Sequence, residues 1–269
     1  MDGRVALVTG VSRRAGIGFA IARRLAADGV RVFAHHHVPH DADRDWGADA
    51  AGIDAVIDAI GDDTAHAGFD LAQPDTPAAL LDAARAAFGH VDILVCNHAS
   101  SSPDGPLADV TAEMLDAHWA VNTRASLLLA QAFARQHDGR PGGRIVFMTS
   151  GQDLGPMPEI AYASSKGALA SITRSIADEL ADRGITVNCV NPGPTDTGWA
   201  NPGLTAAVAQ QMPAGRWGRA GRRGTTDRVA GVRRRSLDDR PSAQQRGRIQ
   251  TLSASPLPMY TGTKCLMRH

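Results

Sequence analysis

Residues 4–18 read R-V-A-L-V-T-G-V-S-R-R-A-G-I-G. Residues 4–8 are a short apolar run rich in β-formers, as a strand buried on both faces of a parallel sheet requires. Residues 9–18 are a glycine-rich turn, residues 19–27 read as a helix and residues 30–34 as a second strand. Strand, glycine turn, helix, strand is the unit that cradles a dinucleotide. Glycines let the backbone approach a pyrophosphate, and the helix N-terminus offers it unpaired N–H groups. The same glycines suit any tight strand-to-helix turn, but the flanking pattern favours the cofactor. Its candidate contacts here are Thr9, Gly10, Ser12, Arg13, Arg14, Gly16, Ile17 and Gly18.

The end of the second strand chooses between cofactors. An acid there would bond the ribose 2′-hydroxyl of NAD, whereas a basic residue would accept the 2′-phosphate of NADP. The chain has His35-His36-His37 and no acid before Asp41, with Arg13 and Arg14 in the turn. We expect NADP rather than NAD, with His36 among its contacts. The three histidines otherwise read as a solvated loop. A metal site on them is the minor alternative, and none is expected.

Downstream, strands and helices alternate. Helices are expected over 50–60 and 77–88. Phe69-Asp70-Leu71 looks like the end of a third strand, with Asp70 and Leu71 placed to meet an adenine. Strands follow over 91–96, 144–149 and 186–190, and helices over 111–136, carrying Asn122, and 162–180. This alternation means an α/β fold, a Rossmann-type doubly wound parallel sheet covered on both faces, with ligands at the carboxyl ends of its strands.

The chemistry concentrates in residues 150–166, S-G-Q-D-L-G-P-M-P-E-I-A-Y-A-S-S-K. The chain has only two tyrosines, Tyr162 and Tyr260, and only two lysines, Lys166 and Lys264. One of each falls here, four apart, which stacks them on one helix face. An ammonium beside a phenol favours the phenolate and lowers a pKa that is ordinarily about 10, giving a general acid or base near neutral pH. Ser150 could hold a substrate carbonyl. Taken alone, Y-x-x-x-K fits a surface pair equally well.

The 269 residues suffice for one large α/β domain. No run of about 18 apolar residues exists, so no membrane span is expected. The N-terminus enters a strand at once, leaving no room for a signal peptide. Cys96, Cys189 and Cys265 are too few and scattered for a disulfide framework or zinc site, and a cytoplasmic location is expected. Net charge is zero but uneven. Residues 1–218 hold 16 basic against 25 acidic side chains; residues 219–269 hold 12 against 3.

Together these motifs resemble the short-chain dehydrogenase/reductase family, over residues 3–218 and with 3-oxoacyl-reductase-like members as the nearest pattern. Thr9-Gly10…Gly16-Ile17-Gly18 is similar to its T-G-x-x-x-G-I-G with two extra residues. Asn97-His98-Ala99-Ser100 is similar to N-N-A-G, with Asn97 bracing the sheet and Ala99 beside the cofactor. Asn122, Ser150, Tyr162 and Lys166 match its catalytic tetrad; the Ser-to-Tyr gap is 12 where the family more often has 13. Pro192, Gly193 and Thr195 match the segment holding the nicotinamide carboxamide, and 199–212 opens the substrate region, with Trp199, Leu204 and Met212 as apolar contacts. The resemblance implies hydride transfer between NADP(H) and a ketone or secondary alcohol. Tyr162 moves the proton, Lys166 lowers the Tyr pKa and bonds the nicotinamide ribose, Ser150 polarises the carbonyl, and Asn122 holds a relay water or kinks its helix by bonding backbone. It implies a homo-oligomer if the C-terminus is intact. His98 and His118 read as packing or surface histidines.

The pattern stops after residue 219. Residues 1–219 form the expected catalytic domain, and residues 220–269 an off-pattern, Arg-rich, poorly ordered tail. A basic tail of this kind could bind nucleic acid, but another cause fits better. A one-nucleotide slip at Arg219–Ala220 would restore a helix, a W-T-T-G turn and an E-G-G-F finish in family order. We expect a frameshift product from about residue 220, no nucleic-acid partner, and a fold of low stability lacking its last strand. The alternative function is a cofactor-binding domain left with little or no activity by that C-terminus.

Overall fold

The computed structural model describes residues 3–150, 157–200, 202–211 and 215–221. The expected tail and frameshift product, beyond Ala220 and Gly221, lie outside the described residues, as does Met212.

Strand β1 (Val5–Val8) leads through the glycine turn into helix α1 (Ile17–Ala27), then β2 (Arg31–His36). Two short helices follow, α2 (Val38–Ala42) and α3 (Gly52–Asp58), then β3 (Thr64–Gly68), α4 (Thr76–Phe88) and β4 (Ile93–Cys96). Helices α5 (Ala112–His118) and α6 (Ala125–Gln136) are joined without a break by a π-helical turn, Trp119–Arg124. Then come β5 (Gly143–Met148), α7 (Ile160–Glu179), a 3₁₀ turn at Ala181–Arg183 and β6 (Ile185–Val190). A two-residue strand β7 (Thr195–Asp196), helix α8 (Pro202–Gln211) and β8 (Gly218–Arg219) complete the described chain.

The main sheet has the order β3-β2-β1-β4-β5-β6, parallel throughout. This is the doubly wound order, and it reverses between β1 and β4. Side-chain alternation feeds two cores. Val5, Leu7, Leu94 and Phe147 pack with Leu80, Leu129, Phe133 and Leu169 of α4, α6 and α7. Ala6, Val8, Val95 and Val146 pack with Phe19, Ile21, Leu25 and Val56 of α1 and α3. Both faces of each inner strand are therefore dry, which is why β1 reads as an unbroken apolar run. Strands β7 and β8 pair in parallel outside the main sheet, Thr195 with Gly218 and Asp196 with Arg219.

Two local expectations change. The second strand runs on through His36, and His35 is 2% exposed, so the histidines are not a solvated loop. The third strand ends at Gly68, so Phe69-Asp70-Leu71 is the turn that follows it. Among the described residues no helix is long and apolar enough to cross a membrane.

Candidate active site

The glycine turn is shaped by close approach. A Cβ on Gly18 would lie 2.2 Å from the Gly10 carbonyl oxygen and 2.7 Å from Asn97 Nδ2. Gly10 has φ +73° and sits equally tight against Asn97 and His98. Helix α1 can reach the turn only because both are glycine. Gly16, at its N-cap, has no side chain to satisfy the first-turn amides of Ile17, Gly18 and Phe19. That uncapped N-terminus is a donor set suited to a pyrophosphate.

The loop after β4 locks onto this turn. Asn97 Nδ2 donates to the carbonyls of Thr9 (3.0 Å) and Gly10 (3.2 Å). His98 is buried between β1 and the π turn. Its Nε2 faces the Val121 carbonyl at 3.0 Å, so Nε2 carries the proton. Nδ1 is then an acceptor, and the Thr9 hydroxyl donates to it at 2.7 Å while accepting from the amides of Asn97 and His98. Burial holds His98 well below its ordinary pKa, hence neutral. On the neighbouring strand β2, His35 is braced in a similar way. Nε2 donates to the Phe69 carbonyl (3.0 Å), Nδ1 accepts from the Gly10 amide (3.3 Å), and burial pulls its pKa to about 4.

The residues expected to meet an adenosine are already engaged with the protein itself. Arg14 forks onto Asp49, with Nη2 at 2.6 Å from Oδ1 and Nε at 3.0 Å from Oδ2. Arg13 Nε lies 3.3 Å from Asp41, and its Nη2 donates to the Thr197 carbonyl at 3.0 Å. The two arginines are therefore not free cations beside His36; each is paired with an acid downstream of β2. His36 Nε2 lies 3.1 Å from His66 Nδ1. Ser12 Oγ accepts from the His37 amide at 3.3 Å. Asp70 folds back on its own turn, accepting from the Ala72 amide (2.9 Å) and Gln73 Nε2 (3.2 Å), and Leu71 is 4% exposed in the core.

The four residues expected as a tetrad come from two elements, α7 and the π turn, and from the end of β5. Ser150 follows β5, and its side chain hydrogen-bonds the Tyr162 phenol. Tyr162 and Lys166 lie one turn apart on α7, with Lys166 Nζ 5.9 Å from the Tyr162 ring centroid. Lys166 is 2% exposed, and Nζ donates to the Met148 carbonyl at 3.0 Å. Burial lowers its pKa to about 8. The expectation that Lys166 lowers the Tyr162 pKa is corrected here. Burial dominates and raises the phenol, the Ser150 hydrogen bond opposes that rise, and Glu159 adds to it. Asn122 sits in the π turn, fully buried. Its side chain grips Ser100 in both directions, accepting from the amide at 2.7 Å and donating to the carbonyl at 2.9 Å, and donates to Ser165 Oγ at 2.9 Å. The side chain thus bonds backbone at a helix distortion, one of the two roles expected of it. Ala99 lies between the His98 and Ser100 anchors. Beyond β6, Gly193 has φ +71°, and Thr195 Oγ1 donates to the Gly193 carbonyl at 3.1 Å, closing the turn after Pro192. Trp199 is 45% exposed and meets Trp217 edge-on at 6.0 Å; Trp217 Nε1 donates to the Thr205 carbonyl at 2.9 Å.

Sequence reasoning missed Asp104 and the buried, hydrogen-bonded state of His35, while the packing reading of His98 agrees with its burial. The only signal of Asp104 and His35 was a histidine or acid inside an apolar strand end or a Ser/Pro loop, which has no periodicity to read.

With this geometry in place, comparison with known proteins is direct. The family model for short chain dehydrogenases matches residues 4–206, and the chain belongs to that family. The chain is 39% identical over 221 residues to the uncharacterized oxidoreductase YjdA of Bacillus subtilis, covering 80% of this chain and 84% of that one. It is 36% identical over 230 residues to an NADPH-dependent aldehyde reductase-like chloroplastic protein of Arabidopsis thaliana, covering 82% and 84%. A short chain dehydrogenase from Burkholderia cenocepacia, solved in complex with NADP, superposes with a TM-score of 0.74 at 36% identity, covering 86% of this chain and 90% of that one. The chain is accordingly an oxidoreductase of the class that works on CH–OH and C=O groups.

Proposed function

We propose that this chain is an NADP(H)-dependent reductase of a ketone or other small carbonyl, running in reverse as a secondary-alcohol dehydrogenase. The observation that carries it is the convergence of Ser150, Tyr162 and Lys166 at the carboxyl edge of the sheet that also presents the uncapped N-terminus of α1. Gly16, Ile17 and Gly18 would hold the pyrophosphate, Lys166 the nicotinamide ribose, and the turn of Pro192, Gly193 and Thr195 the carboxamide. His36 at the end of β2, without an acid, supports NADP over NAD. So do the NADP bound to the Burkholderia relative and the NADPH dependence in the name of the Arabidopsis one.

The bound nicotinamide supplies or accepts the hydride. The protein itself places the proton. Burial holds the Tyr162 phenol protonated at neutral pH, the form that gives a proton to a carbonyl oxygen as reduction proceeds. Ser150 already hydrogen-bonds the phenol, so it can share the same substrate oxygen. Lys166, at about 8, is still mostly cationic at pH 7, the form that would donate to the ribose hydroxyls. Reduction is the direction this protonation state favours near neutrality. A cytoplasmic location, read from the few scattered cysteines, completes the reading, together with a 3-oxoacyl-type or other small carbonyl substrate and, if the C-terminus is intact, homo-oligomeric assembly, both on the resemblance alone.

The test is NADPH oxidation across a carbonyl panel by the wild type and by Tyr162→Phe. Loss of the general acid should lower turnover by about 10²- to 10⁴-fold with cofactor affinity retained. Equal turnover by the variant would contradict the proton role.

A further inference from the structure

Helix α7 carries Tyr162 three residues into its first turn, yet its own N-cap residue, Glu159, makes no capping hydrogen bond. The cap comes from another segment. Asp104, in the loop after β4, turns a side chain only 3% exposed onto the helix start. Its Oδ1 accepts from the Ala161 amide at 3.0 Å and from the Gly105 amide at 2.7 Å, and its Oδ2 accepts from the Tyr162 amide at 2.6 Å. The Gly105 carbonyl accepts the Ile160 amide at 3.1 Å. The first three amides of α7 are thus all satisfied by residues 104 and 105. A carboxylate at a helix N-terminus also meets the positive end of the helix dipole.

Two further contacts bear on the same point. His118, fully buried on α5, places Nε2 3.7 Å from Asp104 Oδ2, and its ring stands edge-on to the Tyr162 ring with centroids 6.4 Å apart. His118 Nδ1 donates to the Met114 carbonyl at 2.8 Å, and Nε2 has no hydrogen-bond partner among the described residues. At its other end, the loop of Asp104 is pinned by Asn122 through both backbone groups of Ser100. One loop therefore joins the π turn of Asn122 to the backbone of Tyr162.

We infer that Asp104 is a positioning residue for Tyr162: its carboxylate fixes the Tyr162 amide, and with His118 against the ring it sets where the phenol points. The inference rests on the proposed reductase reading. Asp104→Asn keeps the shape but turns an NH₂ group either toward the Tyr162 amide or toward the Ala161 and Gly105 amides, so at least one amide loses its acceptor.

The experiment uses the full chain, labelled with 3-fluorotyrosine. Only two tyrosines exist, so ¹⁹F spectra carry two lines, and Tyr260→Phe assigns them. Asp104→Asn should move or split the Tyr162 line alone. It should also lower NADPH-driven turnover of 9,10-phenanthrenequinone about 10- to 100-fold while NADPH affinity stays near wild type. Leu107→Ala, on the same loop but 76% exposed, should change neither. If thermal melting shows Asp104→Asn unfolded, Asp104→Ser, which still accepts one amide, is read the same way. An unchanged Tyr162 line, or turnover within about twofold of wild type, overturns the inference. A wild type that turns over no carbonyl overturns the reductase reading instead, and the ¹⁹F line then decides the role of Asp104 by itself.

Discussion

Lys166 is where one residue's environment reaches a measurable quantity. A lysine lowered to about 8 by burial binds fewer protons folded than unfolded between its folded value and its ordinary 10.5. Stability contributed by Lys166 is therefore lowest below pH 8 and rises with pH through that window, by about 1.4 kcal/mol per unit. Above pH 9 the buried Cys96 thiol, pushed up to about 12, acts with the opposite sign. The clean reading is the difference between wild type and Lys166→Met. By urea unfolding, the variant's stability advantage should shrink by about 1 kcal/mol between pH 8 and 9. A pH-independent difference would mean Lys166 is not buried as a cation. Tyr162 and Lys166 were legible in the sequence because each is one of two of its type and their spacing is helical. The sense of the Tyr162 shift was not, because spacing reports neighbours while burial is set by the whole fold.

At the level of elements, the π turn at Trp119–Arg124 does most to place the site. It lets Asn122 face Ser100 and Ser165 while His98 takes the Val121 carbonyl. Asn122→Ala would leave the buried amide and carbonyl of Ser100 without partners, at about 1–3 kcal/mol each. We expect a loss of about 2–5 kcal/mol in calorimetric or denaturant stability; a loss under about 1 kcal/mol would show that the loop finds other partners. Periodicity announced one long helix over 111–136 and could not announce the π turn, because a single inserted residue leaves the apolar stripe nearly intact. Strand β2 was cut short for a related reason. His35 and His36 are polar by type, but His35 is neutral, buried and doubly hydrogen-bonded, so it behaves as a core residue.

For the whole molecule, the doubly wound order was readable from alternating elements alone, since each buried strand is an apolar run and each covering helix an amphipathic one. What local pattern could not supply are the ties between loops that meet only after folding: Asp104 with α7, Arg13 with Thr197, and Arg14 with Asp49. Each spans dozens of residues and pairs ordinary surface residue types, leaving no local mark. These ties and the uncapped N-terminus of α1 all gather on the carboxyl edge of the sheet, which makes hydride transfer there the central claim. The most direct measurement of it is a single-turnover reaction of the full chain with 4-deuterated NADPH and a ketone probe, followed by mass spectrometry of the alcohol. Hydride transfer at this edge predicts one deuterium on the former carbonyl carbon, delivered from one face of the nicotinamide only. Bound cofactor with no deuterium transferred to any carbonyl of a broad panel would contradict it.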